Sequence, residues 1–238
     1  MLAKRIIPSI THKNGQLVKG ERFINNRVIG VALQSARIYA MRSVDELLIL
    51  DVSATEEKRE PNYFLIKSLA NSCFSPITVG GGVACDEHVR KLLQAGADKV
   101  CIGRAAIDNP ILIHDLASKY GSSAIAVSVE CMGTDDKSHA QALVDALLFQ
   151  EMGAGEILLH SVVRDGTMGG YDIKLIESVS RLRIPIIASG GCAGYPDMVD
   201  AIDVGADAVS AGALFAFTDD TPEGAARYLK TMGVEVRL

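Results

Sequence analysis

The chain has 238 residues, 48% of them hydrophobic and 22% charged, with 29 acidic against 24 basic side chains, seven prolines and 22 glycines. That composition describes one large or two small globular units and excludes a disordered or fibrous chain. A net charge of -5 spread over mixed-sign segments argues against a nucleic-acid surface, which carries a clustered basic excess, and leaves local sites for anionic small molecules open.

In chain order, the first segment, Met1 to Ile10, has two basic residues but neither a long apolar core nor a small-residue cleavage site, and no later stretch approaches the apolar length of a membrane span. A soluble, cytoplasmic chain with no membrane partner is expected. Eight short apolar runs then read as strands: Arg5–Ile10, Glu46–Asp51, Ile77–Val79, Lys99–Ile102, Ala124–Val129, Glu156–His160, Ile186–Ala188 and Ala208–Ala211. Between them lie helical stretches such as Pro61–Ser72, Glu87–Ala95, Ala140–Met152 and Pro196–Val204, several followed by a glycine (Gly96, Gly153, Gly205) at the usual position past a helix end. Pro110, Pro196 and Pro222 sit where a first helical turn tolerates a missing amide hydrogen. Five scattered cysteines without a CxxC pair, and five histidines without HExxH spacing, give no reason to expect disulfides, a metal site or a cofactor.

An internal repeat organises these elements. Ser75-Pro76-Ile77-Thr78-Val79-Gly80-Gly81-Gly82 and Gly96-Ala97-Asp98 recur 109 residues later as Ile184-Pro185-Ile186-Ile187-Ala188-Ser189-Gly190-Gly191 and Gly205-Ala206-Asp207. Two similar halves of alternating strand and helix predict residues 1–238 to be a single α/β unit, a (β/α)8 barrel, with an open doubly wound sheet as the alternative.

Three groups of residues point to chemistry. Gly80-Gly81-Gly82 with Gly103, and Gly190-Gly191 with Gly212, follow strand ends in matched positions, where bare backbone amides approach an anion. They read either as two phosphate cradles on opposite sides of one rim or as tight turns, with Arg104 offering a guanidinium beside the first. Arg5, Glu46, Lys99 and Glu156 each open a strand, which places two cations and two anions at the bottom of one barrel, as a salt-bridged plug or a gate. The carboxylates Asp51, Glu130 and Asp165 stand at or just past strand ends. Asp165 and Glu130 suit acid-base work at a barrel mouth, and a turn or cap is the plainer role of Asp165. Lys19, between Gly15 and Gly20, is expected on a mobile loop over the rim or as a solvated surface lysine.

Several segments together closely resemble the cyclase subunit of imidazole glycerol phosphate synthase. They are Met1-Leu2-Ala3-Lys4-Arg5-Ile6-Ile7, Leu17-Val18-Lys19-Gly20, Gly153-Ala154-Gly155-Glu156, Arg164-Asp165-Gly166-Thr167 and Gly170-Tyr171-Asp172, with both glycine cradles. The resemblance implies a barrel that docks a glutaminase at its lower face and conducts ammonia through its middle. It also implies that the ammonia is used to cleave and cyclise a bisphosphorylated nucleotide in histidine synthesis. Carried over by position, it makes Arg5, Glu46, Lys99 and Glu156 the ammonia gate and Asp98 a partner-interface residue. It makes Lys19, Asp51, Gly82, Gly103, Arg104, Gly166, Ser189, Gly191 and Gly212 substrate or phosphate contacts, and Glu130 and Asp165 catalytic.

Departures from the family pattern accompany it. The strand-one catalytic aspartate is Thr11, which does not ionise near neutrality, and its strand-five counterpart is Glu130, longer by one methylene. The family's Asn-Thr pair is Gly103-Arg104, a strand-six threonine is His160, a ligand serine is Ala213, and only Cys131–Asp136 separates Glu130 from the next helix. Ammonia-handling residues kept with catalytic ones changed resemble a divergent cyclase-like copy. Such copies supply ammonia to a sugar amidotransferase in surface-polysaccharide synthesis. The reading from sequence is therefore an ammonia-conducting synthase subunit of that kind. A genuine cyclase of histidine synthesis is the alternative. The sister isomerase fits less well, and a binding module whose ligand regulates the glutaminase is not separated from the conduit by sequence.

Overall fold

The computed structural model describes residues 3–42 and 44–238. Eight parallel strands close on themselves: β1 (Arg5–Lys13), then, past a hairpin, β4 (Leu47–Asp51), β5 (Ile77–Gly80), β6 (Lys99–Ile102), β7 (Ile125–Cys131), β8 (Glu156–Ser161), β9 (Ile186–Ser189) and β10 (Ala208–Ala211). Each pairs with the next, and β10 pairs back onto β1, with Arg5 opposite Ala208 and Ile7 opposite Ser210. Closure selects the (β/α)8 barrel over the open sheet. Each of the eight predicted strands is present, with ends shifted by at most three residues. Among the described residues no helix is long and apolar enough to cross a membrane.

Helices fill the crossovers because their apolar residues fall on one face. In α3 (Asp86–Ala95), Val89 and Leu92 are buried against the sheet, and Asp86 and Glu87 complement the positive end of the helix. Helix α2 (Tyr63–Ala70) starts where the Asn62 side chain accepts from the Leu65 amide, and α6 (Asp136–Glu151) starts where Asp135 accepts from Lys137 and Ser138. Asp135 thereby starts α6 four residues before the predicted Ala140.

Strand alternation sorts the core into two layers. Ile7, Leu48, Cys101, Ala126, Leu158, Ile187 and Ala208 pack together inside the barrel, one from each strand but β5. Their neighbours Ile6, Ile49, Val100, Val127, Leu159, Ala188 and Val209 face the helices. Strand β5 turns Thr78 inward instead, where its hydroxyl donates to Glu46 at 2.5 Å. Cys101 is a packing group, and burial pushes its thiol up to about 12.

One element was not anticipated. Residues expected to form a loop after the first strand form an antiparallel hairpin, β2 (Gln16–Glu21) and β3 (Ile24–Val31), attached to β1. Its first turn, Asn14-Gly15, has positive φ at both residues, the two-residue turn that favours such a hairpin. The second turn, Arg22-Phe23, also has positive φ at both residues, without glycine or asparagine. That conformation costs roughly 1–2 kcal/mol per residue and is held by contacts across the barrel mouth.

Candidate active site

At the lower end of the lumen the four predicted charges meet. Arg5 Nη1 lies 2.6 Å from Glu46 Oε2, and Lys99 Nζ lies 3.0 Å from Glu46 and 2.9 Å from Glu156, while Arg5 also pairs with Glu156. Signs alternate around the ring, so every charge has two opposite neighbours. Burial alone would raise the Glu46 carboxyl. Lys99, the Thr78 hydroxyl and Arg5 outweigh it and hold that carboxyl below its ordinary range. This is one closed ring across β1, the segment before β4, β6 and β8, directly under the packed lumen layer. Asp98, one residue before Lys99, spends its carboxylate on the Ile77 amide at 2.8 Å, and its repeat mate Asp207 holds the Ile186 amide in the same way at 3.1 Å.

At the upper end, alternation carries the lumen face from Ala126 to Glu130, from Leu158 to His160, from Ile187 to Ser189 and from Ala208 to Ser210. The strand register makes these a single row: Glu130 is opposite His160, His160 opposite Ser189, and Ser189 opposite Ser210. Glu130 therefore points inward and is exposed at the mouth, where β7 ends at Cys131 and α6 begins at Asp136. His160 and Ser210 are buried, and His160 Nε2 and Ser210 Oγ have no hydrogen-bond partner. Buried polar atoms left open in a row that faces a cavity mouth mark a surface shaped for a polar ligand.

Asp165 joins this row from the loop after β8, with Oδ1 3.5 Å from His160 Nε2. Burial works to raise its carboxyl, but His160, the charge of Lys19 and the Gly166 amide together lower it. Thr11, by contrast, is occupied: its hydroxyl donates to the Val18 carbonyl at 2.5 Å, tying β1 to the hairpin.

Lys19 lies on a strand instead of a loop and is buried instead of solvated. The hairpin carries it on β2 and folds back over the mouth, leaving the side chain 9% exposed with one hydrogen bond, to the Ser9 carbonyl at 3.2 Å. Burial pulls its ammonium down to about 8, against the opposing pull of Asp165. Its Nζ occupies the space where a Cβ on Gly212 would sit, so the cation rests against the second glycine cradle. The hairpin is held closed by three contacts. Arg22 donates its amide to the Asp165 carbonyl at 3.0 Å, Phe23 lies 5.0 Å from the His160 ring, and Gly20 packs on Gly166 so closely that a Cβ there would overlap it.

The glycines separate into two kinds. Gly81 has φ of 96° and a Cβ there would overlap the Asp51 carbonyl, and Gly191 has φ of 101° and would overlap the Gly170 carbonyl. Turn geometry alone therefore requires glycine at both positions. A Cβ on Gly82 would meet Ala54 Cβ at 2.7 Å, and the Gly82 amide donates to Thr55 Oγ1 at 3.3 Å. Gly103 is different, because a Cβ there would meet nothing within 4 Å, so the space beside it is open. Arg104 next to it is exposed and makes no ion pair among the described residues.

Asp51 is not free for a ligand. Arg59 grips both its oxygens at 2.8 Å, the Ser53 and Ala54 amides each donate at 3.1 Å, and His12 Nδ1 lies 3.8 Å away. Burial would raise this carboxyl, but the Arg59 bonds, His12 and the Ser53 amide hold it below the ordinary range. It braces the loop between β4 and α2 against Gly81. Arg59, which sequence reasoning did not single out, is the reason. His160 was noted from sequence only as a departure from the family pattern and Ser210 was not singled out, although period-two alternation from Leu158 and Ala208 leads directly to both.

Comparison with known proteins places the chain. Residues 5–221 match the family model described as histidine biosynthesis protein. Over the full length of both chains it is 41% identical to the imidazole glycerol phosphate synthase subunit HisF of Dictyoglomus turgidum. It is 39% identical, again over both full lengths, to the protein of the same name from Dictyoglomus thermophilum. With a closed eightfold barrel, a charged ring below and a polar row above, the chain belongs to the histidine biosynthesis protein family and is similar over its whole length to these HisF subunits.

Proposed function

We propose that this chain is the cyclase subunit of a glutamine-dependent imidazole glycerol phosphate synthase. It takes ammonia from a glutaminase docked on the lower face, where Asp98 borders the ring of Arg5, Glu46, Lys99 and Glu156. At the upper mouth it combines that ammonia with a bisphosphorylated nucleotide, cleaving and cyclising it to imidazole glycerol phosphate and an aminoimidazole carboxamide ribotide. The observation that carries this reading is the placement of the two polar ends on one lumen: the ring closes one end of the inner layer and the row of Glu130, His160, Ser189 and Ser210 lines the other. Identity of about 40% over the full length of relatives bearing the synthase name supports the same activity.

In this reading Glu130 and Asp165 are the catalytic carboxylates of the mouth, Glu130 moving a proton and Asp165 orienting the groups beside it. One phosphate sits by Gly166, Ser189, Gly191, Gly212 and Lys19, and the other by Gly82, Gly103 and Arg104. Lys19 makes the first phosphate site pH-sensitive. Its depressed folded value means that the free site has lost a proton between about 8 and the ordinary 10.5, while a bound phosphate dianion restores it. Binding of a phosphorylated ligand is therefore expected to take up close to one proton at pH 9 and much less at pH 7. Calorimetry in buffers of different ionisation heat measures this, and a Lys19→Met variant shows no such uptake.

Thr11 favours a second reading. With its hydroxyl tied to the Val18 carbonyl, β1 presents no carboxylate to the mouth, which fits a barrel that passes ammonia on to a sugar amidotransferase of surface-glycan synthesis. One assay decides between the two. The purified chain receives saturating ammonium salt and the bisphosphorylated precursor, and loss of precursor absorbance is followed. Turnover at the rate of an ordinary cyclase is the expected result. No turnover, from the wild type and from a Thr11→Asp, Glu130→Asp variant alike, would leave the conduit.

A further inference from the structure

We infer that the imidazole of His160, held by Asp165 and set beside Glu130 on the neighbouring strand, is the second proton-transfer group of this barrel, in place of the strand-one carboxylate that Thr11 cannot supply. The inference rests on the cyclase reading and names a residue that reading does not require.

Four observations converge on it. His160 points into the mouth, because it lies two residues past the lumen residue Leu158 on β8. It is 93% buried, at 7% exposure, yet Nε2 has no hydrogen bond and faces only the Asp165 carboxylate at 3.5 Å. The carboxylate orients the ring without closing a hydrogen bond, which leaves a buried polar nitrogen with no partner of its own. Its register partner is Glu130, so the two inward side chains stand on adjacent strands about 4.8 Å apart at the backbone. Finally, the hairpin covers it: the Phe23 ring lies 5.0 Å from the imidazole, tilted by 38°, which shields it from water. The charged groups around it are Asp165 from its own loop, Glu130 from β7 and Lys19 from β2 beyond Asp165.

The chemistry needs such a group. Ammonia adding to a carbonyl carbon forms the new C–N bond with its lone pair while the carbonyl π pair moves to oxygen. The nitrogen must then lose two protons, and the oxygen must gain two before it leaves as water. Neutral His160 takes the first surplus proton from nitrogen and returns it to oxygen, and the Glu130 carboxylate takes a second proton from nitrogen and passes it to the departing hydroxyl, so two protons leave nitrogen and two leave in the water. A positioned acid-base group of this kind contributes about 100-fold to 10,000-fold.

The test compares wild type with His160→Gln, and with His160→Thr, which installs the residue that the family pattern has there. The readouts are ammonium-driven turnover, precursor binding and the pH dependence of kcat. The expected result is a fall in kcat of at least about 100-fold in both variants with precursor affinity within a few-fold of wild type, and loss of one limb of the pH profile of kcat. A Phe23→Leu variant removes the ring contact and keeps that limb, which separates proton transfer from support of the hairpin. Wild-type turnover that survives in either folded, precursor-binding variant with its pH limb intact overturns this inference and leaves the cyclase reading standing. Absence of turnover in the wild type overturns both.

Discussion

Replacing Glu46 by alanine is expected to lower the unfolding free energy by about 3–5 kcal/mol, because Arg5 and Lys99 are then left facing each other with Glu156 as their only shared anion. The Thr78 hydroxyl loses its acceptor in the same step. A urea titration reads this as a shifted midpoint with an unchanged slope. The effect has a defined pH sign. The Glu46 carboxyl is depressed below its ordinary 4.5 in the folded chain, so its contribution is complete above that pH and is lost as pH falls through the lower folded value. A Glu46→Gln variant is therefore less stable than wild type at neutral pH, and the gap narrows below pH 4.5. A gap that stayed constant into acid would show that the ring is not ionised as described.

Stability alone does not separate a plug from a gate. Exchanging Arg5, Glu46, Lys99 and Glu156 together for apolar residues of similar volume is expected to restore most of the lost stability, since buried ion networks and well-packed apolar groups are often close in free energy. Under the proposed function that protein would keep ammonium-driven turnover and lose the glutamine-driven reaction of the complex. Equal loss of both activities would mark the ring as structural.

Gly191→Ala is expected to damage the mouth severely for the addition of a single methyl group. The left-handed backbone at φ of 101° costs about 1–2 kcal/mol, and the new Cβ overlaps the Gly170 carbonyl and meets Arg164 Cβ at 3.0 Å, which adds roughly 1–3 kcal/mol. Relief requires moving the loop from Asp165 to Gly170, which is tied to Gly191 by the Gly170 amide at 2.8 Å and to itself by Arg164 bonding the Gly169 carbonyl at 3.0 Å. That loop carries Asp165 and Gly166, so loss of phosphate-ligand affinity should accompany a stability loss of about 3 kcal/mol. Thermal unfolding with and without inorganic phosphate or the precursor measures both. An alanine variant with wild-type stability and affinity would mean that the loop does not depend on this contact.

The strands were legible because a parallel barrel buries both faces of each one, which leaves continuous apolar runs such as Leu47–Leu50 and Ile186–Ala188 between amphipathic helices. The hairpin was not, although half of its signal was present. Asn14-Gly15 is a strong two-residue turn, but Arg22-Phe23 carries no residue suited to positive φ, and β3 is largely exposed and lacks an apolar face. Its turn is stabilised from outside, by Asp165 and His160, which stand far away in the chain. Asp51 shows the same limit. Its position at a strand end suggested a ligand contact, and only the folded loop brings Arg59 back onto it.

The order of residues was enough for the repeat, the eightfold alternation and the presence of four charges at strand starts, because these depend on periodicity and on chain neighbours. Closure of the barrel decided the rest. Which of two alternating faces points inward is undetermined for an isolated strand, and it becomes definite only when β10 meets β1 and one face of every strand is enclosed. That event turns Glu130 and His160 toward the same end of the lumen, closes Arg5, Glu46, Lys99 and Glu156 into a ring and places Lys19 under a hairpin. Such placements bring together residues up to about 150 positions apart, whose proximity is a property of the closed sheet and not of any local segment.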